Sequence, residues 1–390
     1  MMHPNRRILG NQKGLTWIKF ATYAVVGIVC CGTLFPVREF TTATISSLTT
    51  TTVRQENDGR NSFVRSADPF LNPLNCLELT ESSRKKEIPQ LTDHTDELPY
   101  HKSYLRVTNT TIPFYLSTND AKVDYMRVGI FDTGNYYEFR QSEGMQDILK
   151  YEYERMSSAD KQHKRPIMID VGGNVGWFSM LSAAHGAEVY VFEPNVVNMV
   201  RLCESAVLNG WSSSSNPVYN QLHPFMKGVS NNHGEALKMH KPDPRNPGSF
   251  TFAEKGADNE EVAGGLLELV TLDALARSQN WLDEDDNSRI AILKIDVEGL
   301  ELKVYAGAKE LLKSRKVKNI FMEWSVETNE LEEWKGVFSS LIDLGYELFK
   351  IGTWAGPDNI VEDKFENGNE LVGFLSTSGA GNILLRLVEE

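Results

Sequence analysis

Two short segments of this 390-residue chain gather the residues whose types and spacing could do chemistry. The first is Asp170-Val171-Gly172-Gly173-Asn174-Val175-Gly176, an acid followed by a glycine turn. The second is Lys294-Ile295-Asp296-Val297-Glu298-Gly299-Leu300-Glu301, with three acids in six residues. Glycines in such a turn let the backbone take φ > 0 and let a ligand approach closely. A dinucleotide fingerprint counted from Gly172 would need glycines where Asn174 and Trp177 stand, so the turn is no pyrophosphate cradle. A carboxylate just before the turn would repel a pyrophosphate and attract an ammonium or sulfonium group. The alternative is an ordinary strand-to-helix turn whose glycines serve packing alone.

A further acid, Glu193, ends the run Val189-Tyr190-Val191-Phe192-Glu193-Pro194. It lies roughly 20 residues beyond the glycine turn, where an acid can accept both hydroxyls of a ribose. A sugar clamp and a cation-tolerant loop without a diphosphate site have the shape of S-adenosylmethionine. In the second segment, strand alternation puts Lys294, Asp296 and Glu298 on one face if the strand runs that far. Neighbouring acids raise one another's pKa, which is how a general base is tuned. An acid inside an Ile/Val strand costs stability without a purpose, which favours function at Asp296. Glu301, and Glu298 as the alternative for it, would cap the helix that follows.

These segments need a scaffold, and the flanking pattern supplies one. Strands are expected at 167–171, 188–192, 225–230, 236–239, 267–272, 290–297, 319–324, 346–351 and 382–388. Helices are expected at 177–185, 196–208, 301–312 and 331–344. Strands separated by helices imply βαβ units and a mostly parallel sheet, with ligands at the C-terminal strand edge. Residues 239–266, rich in Pro, Gly and charge, fit no motif and are expected to be a substrate lid or a long surface loop.

Asp170-Val-Gly-Gly-Asn-Val-Gly-Trp-Phe-Ser together with Lys294-Ile-Asp-Val-Glu-Gly-Leu-Glu resembles the FkbM family of methyltransferases. Phe192-Glu193-Pro194, Asn209, Thr271-Leu272-Asp273, Glu323 and Gly381-Asn382-Ile383-Leu384-Leu385 extend the resemblance over roughly residues 123–388. It implies an α/β fold, the class I Rossmann-like methyltransferase, its mostly parallel sheet flanked by helices on both faces. It implies S-adenosylmethionine as donor and O-methylation of a hydroxyl. Asp170, Gly172, Gly173, Asn174 and Gly176 would line the methionine end, Glu193 would hold the ribose, and Ser230 would lie near the adenine. Asp296 and Glu298 would position the acceptor or take its proton. Gly134-Asn135-Tyr136-Tyr137-Glu138 resembles the family too and would cover the site.

A net charge of −13 argues against nucleic acid as a partner. The four cysteines form no C-x-x-C pair, and no metal site is expected. Cys76 and Cys203 would be either a disulfide or two free thiols. Residues 20–37 carry no charge and nearly span a bilayer core of ~30 Å. Arg6, Arg7, Lys13 and Lys19 precede that run, which orients a single-pass type II protein with its C-terminal part in the lumen of the Golgi or endoplasmic reticulum. A cleaved signal peptide is the alternative. The organisation is then a cytosolic tail (1–19), a signal-anchor (20–37), a Thr-rich stem and disordered linker (38–100) and a methyltransferase domain (101–390). Asn109-Thr110-Thr111 is the one N-glycosylation sequon. The acceptor is expected to be a small-molecule or glycan hydroxyl. Two rivals stand beside this: a glycosyltransferase using Asp283-Glu284-Asp285 as a metal motif, and a non-catalytic luminal binding protein on the same scaffold.

Overall fold

In the computed structural model the described residues are 68–84, 103–119, 130, 133–136, 138–156, 164–212, 221–240, 262–325, 330–351, 364–378 and 380–389. The expected tail, signal-anchor and Thr-rich stretch lie outside them. Among the described residues no helix is long and apolar enough to cross a membrane.

The sheet grows from runs that are apolar on both faces, as strands buried between two helical layers must be. β3 (Ile167–Val171) and β9 (Ile290–Ile295) are buried at every residue. β4 (Glu188–Phe192) and β5 (Leu222–Phe225) extend the sheet on one side, and β10 (Asn319–Ser325) on the other. These five strands are all parallel, in the order β10-β9-β3-β4-β5. Beyond β10 the expectation of a mostly parallel sheet needs correction. β11 (Tyr346–Lys350) returns in the same direction as β10, but the C-terminal β13 (Ala380–Leu387) fills the gap between them antiparallel to both. β12 (Lys364–Phe365) then pairs antiparallel with β11, so the eight-stranded sheet is mixed. Local patterning cannot show which gap the last strand enters.

Helices cover both faces. α2 (Phe139–Arg155), α3 (Trp177–Ala184) and α4 (Val196–Leu208) pack one face around Met168, Val191 and Ile292. α5 (Leu272–Ser278), α6 (Glu301–Ala306), α7 (Lys309–Lys313), α8 (Leu331–Asp343) and α9 (Gly368–Ser378) pack the other. The single helix expected over 301–312 is two. A Cβ on Gly307 would stand 2.1 Å from the Ser230 carbonyl oxygen, so the chain presses in there. The Asp273 carboxylate then accepts from the Glu310 and Leu311 N–H groups at 3.1 and 2.9 Å, opening a new helix.

The stretch 38–100 also departs from the expected linker. Its described part holds α1 (Cys76–Arg84), and a disulfide joins Cys76 to Cys203 in α4. A bond across 127 residues of sequence holds this short helix, which its own weak pattern could not announce. The ends of the expected lid are also strands. β7 (Ala236–His240) pairs antiparallel with β8 (Val262–Val270), and β6 (Gly228–Val229) joins β8 on its other side. Residues 241–261 are outside the described set.

Candidate active site

The site forms where β3, β4 and β9 end side by side. After β3 the chain turns through Gly172 and Gly176, with φ of 84° and 90°, and Asn174, with φ of 50°. The turn is held down from two sides. Gly172 and Gly173 both donate to the Phe192 carbonyl, at 2.9 and 3.0 Å. The Asp296 N–H donates to the Val171 carbonyl at 3.0 Å. A Cβ on Gly172 would lie 1.8 Å from the Asp296 carbonyl oxygen, and one on Gly173 would lie 2.3 Å from Val191 Cγ2. These glycines are therefore demanded by packing, while their open side faces two hollows.

One hollow is lined by Glu193, Pro194, Gly228, Val229, Glu298 and Leu300, among others. The other is lined by Gly173, Asn174, Tyr136, Trp177, Phe178 and Lys294, among others. Gly172 and Asp296 belong to both, so the two spaces meet at those residues.

Glu193 sits at the wall of the first hollow and organises the turn. Its two carboxylate oxygens accept from the Asn174 and Asn195 N–H groups, at 2.7 and 2.8 Å. Burial pushes its carboxyl up to about 7, against the pull of those two backbone donors. Ser230 is buried but is not at the wall. Its carbonyl packs on Gly307, and Gly228 and Val229 face the hollow instead.

Lys294 is the residue that single-strand reasoning left without a role. Cross-strand register sets it opposite Asp170, and alternation sets it on the same face as Asp296. Its ammonium is 2.8 Å from Asp296 Oδ2 and 3.8 Å from Asp170 Oδ1, and it donates to the Gly172 carbonyl at 3.5 Å. Burial alone would lower its pKa, but Asp296 and then Asp170 outweigh that and raise it.

Asp170 was expected to line the cofactor space, and the structure corrects this. It is sealed beneath the turn with 0% exposure and lines neither hollow. Oδ2 accepts from the Ser179 hydroxyl at 2.6 Å, and Oδ1 has no hydrogen-bond partner besides facing Lys294. Burial raises its pKa, opposed by Lys294 and Ser179.

Asp296 is open where Asp170 is closed. Burial works to raise its pKa, but Lys294 and a hydrogen bond from Glu323 hold it below the ordinary value. Glu323, on β10, is correspondingly driven up by burial and by Asp296. The two carboxyls thus shift in opposite directions, Asp296 down and Glu323 up. Glu138 joins this group. Its carboxylate accepts from Asn382 Nδ2 at 2.6 Å, and burial and then Asp296 raise its pKa. Glu323 and Glu138 come from distant segments; the resemblance marks both, but their meeting with Asp296 depends on tertiary packing.

Glu298 does not share the face of Lys294 and Asp296. β9 ends at Ile295, and Glu298 takes a φ of 54° in the turn beyond it. It is exposed and borders the first hollow, and burial and then the charge of Asp296 raise its pKa. Glu301 takes the capping role: its Oε1 accepts from the Val297 and Gly299 N–H groups, both at 3.2 Å. The cover expected from Gly134–Glu138 is present in part. Tyr136 stacks on Trp177 with centroids 5.4 Å apart and lines the second hollow. Tyr137 is outside the described residues.

Asp283, Glu284 and Asp285 are exposed in the turn that leads into β9, so they lie at the opposite end of the sheet from the glycine turn. That position removes the geometric basis for the glycosyltransferase reading. Among the described residues no group of three or more His, Cys, Asp or Glu could hold a metal ion.

Comparison with known families decides what this arrangement is. The family described as Methyltransferase FkbM domain matches residues 170–348. These residues are an FkbM methyltransferase domain. The FkbM domain spans both motifs, from the glycine turn through the β9 acids to β11. The cofactor that this family match implies is S-adenosylmethionine. The residues present fit that molecule: Glu193 and Asp296 at the walls suit ribose hydroxyls and a sulfonium charge. Among solved structures, methyltransferase FkbM from Methylobacillus flagellatus KT is similar at 13% identity and a TM-score of 0.32, over 57% of this chain and 43% of that one. The S-adenosylmethionine-dependent methyltransferase from Agrobacterium tumefaciens is similar at 11% identity and a TM-score of 0.33, over 74% and 71%. Precorrin-6y C5,15-methyltransferase from Geobacter metallireducens GS-15 is similar at 12% identity and a TM-score of 0.28, over 65% and 90%. The matched part thus spans less than half of the first of these chains. No curated protein matches the chain.

Proposed function

We propose that the chain is an S-adenosylmethionine-dependent O-methyltransferase acting on a hydroxyl of a glycan or glycolipid, in the lumen of the Golgi or endoplasmic reticulum. The observation that carries this reading is the meeting of the two hollows at Asp296, whose carboxylate lies 2.8 Å from the Lys294 ammonium. In the first hollow Glu193 would accept the ribose hydroxyls. Gly172, Gly173 and Asn174 would face the methionine end. The cofactor, when bound, supplies a methyl group on a sulfonium that leaves readily.

The protein then has two tasks, alignment and proton removal. Tyr136 and Trp177 wall the second hollow and would exclude water from an acceptor placed there. Asp296 would accept the hydroxyl proton as the oxygen becomes nucleophilic. Lys294 holds its carboxylate ionised and oriented. A carboxylate with a lowered pKa is a weak base, so the proton moves in step with bond formation and not before it.

The luminal location draws support from the Cys76–Cys203 disulfide, since such bonds persist in oxidising compartments. The basic residues before residues 20–37 support the same orientation. Incubation of the full chain with labelled S-adenosylmethionine and a panel of glycans and glycolipids tests the reading. Label on a glycan hydroxyl is expected. Label only on protein or on free lipid would reject the acceptor class.

A further inference from the structure

The sequon Asn109-Thr110-Thr111 lies in the loop joining β1 (Tyr104–Val107) to β2 (Tyr115–Thr118). Thr108 and Phe114 close that loop with a backbone hydrogen bond of 2.9 Å. The Asn109 N–H donates to the Gly134 carbonyl at 2.8 Å, which fixes the loop against the segment leading to Tyr136. Asn109 and Thr111 are both exposed, and neither side chain makes a hydrogen bond among the described residues. Thr110 donates its hydroxyl to the Ile112 carbonyl at 2.8 Å, which shapes the tip and leaves the two sequon groups outward. Proline stands neither between Asn109 and Thr111 nor directly after them.

The surface around this tip is apolar. Leu105, Val107, Ile112 and Tyr115 are all among the large hydrophobic residues left exposed, with Leu105 at 54%. Clustered exposed apolar residues favour association unless something covers them. We propose that Asn109 carries an N-linked oligosaccharide that shields this hairpin. The proposal rests on the luminal reading above, and the disulfide is its independent structural support. In the attachment step the Asn109 amide nitrogen forms a bond to the anomeric carbon of a lipid-pyrophosphate-linked oligosaccharide. The bond from that carbon to the pyrophosphate breaks, the lipid pyrophosphate leaves with the electron pair, and the amide loses one proton.

The test is to produce the full chain in a secretory eukaryotic cell and treat it with an amidase that releases N-linked glycans. A loss of one oligosaccharide's mass is expected. Asn109→Gln and Thr111→Ala should abolish that shift, Thr111→Ser should keep it, and methyl transfer should be unchanged in each. Asn109→Gln should also aggregate more on storage, because its hairpin is uncovered. A shift that persists in Asn109→Gln overturns the proposal. The absence of any shift with the Cys76–Cys203 bond intact overturns the glycan but leaves the luminal reading standing. The absence of a shift with both thiols free overturns both.

Discussion

Asp170 and Asp296 leave neighbouring parallel strands, and both face the ammonium of Lys294. They differ in what else they face. Asp170 is sealed under the glycine turn, and burial raises its pKa. Asp296 borders both hollows, with its side chain 27% exposed, and Lys294 and Glu323 lower its pKa against the effect of burial. The same residue type, with the same cation, has become a structural anchor in one place and a reactant-facing group in the other. Access decides the role, because both already have a counter-ion.

The largest expected effect tests the open member of the pair. Asp296→Asn should lower turnover by about 10²–10⁴, the range typical of general acid–base catalysis, with cofactor affinity nearly unchanged. A labelled methyl-transfer assay beside calorimetry reads both quantities. Lys294→Met attacks what the two acids share. It strands a buried charge at Asp170, and loss of one partner of a buried pair costs about 3–5 kcal/mol, measurable by denaturant unfolding. A cost near zero would show that the acids do not depend on their common cation.

A third test asks whether the acid at the wall of the first hollow governs binding. Glu193 has a folded pKa of about 7, above its unfolded value. Its contribution to stability is therefore full below the unfolded pKa and is lost as pH rises through about 7. Ribose hydroxyls donate to the ionised form, so cofactor binding should strengthen over the range where stability declines. Affinity should rise by about tenfold between roughly pH 6 and 8, and Glu193→Gln should flatten that profile. Calorimetric titrations across this range would expose a flat parent profile, which contradicts the assignment. The smallest effect belongs to Asp170→Asn. The amide keeps a Ser179 partner and Asp296 still neutralises Lys294, so the loss should be about 1–2 kcal/mol in thermal or denaturant unfolding.

Much of this arrangement is legible in the sequence, for definite reasons. β3, β4 and α4 match their expected limits because continuous apolar runs and the apolar positions of α4 are local signals. The failed dinucleotide spacing and Glu193 are local too. Lys294 was visible on the face of Asp296, but its bond to Asp170 depends on register between strands over a hundred residues apart in the chain. Glu138 and Glu323 reach the site only through tertiary packing. Glu298 would share the face of Asp296 only if the strand reached it, but β9 ends at Ile295 and Glu298 stands in a left-handed turn that no alternation foretells. The antiparallel β13 and the Cys76–Cys203 bond also depend on contacts that no local pattern encodes.

The central claim is that access to the hollows, and not the shared lysine, separates Asp296 from Asp170. The most direct test is single-turnover methyl transfer by Asp296→Asn and Asp170→Asn, side by side with saturating labelled S-adenosylmethionine and the acceptor found in the panel. The account predicts transfer within about tenfold of the parent for Asp170→Asn and a loss of about 10²–10⁴ for Asp296→Asn. Equal losses in the two variants, or full transfer by Asp296→Asn, would contradict it.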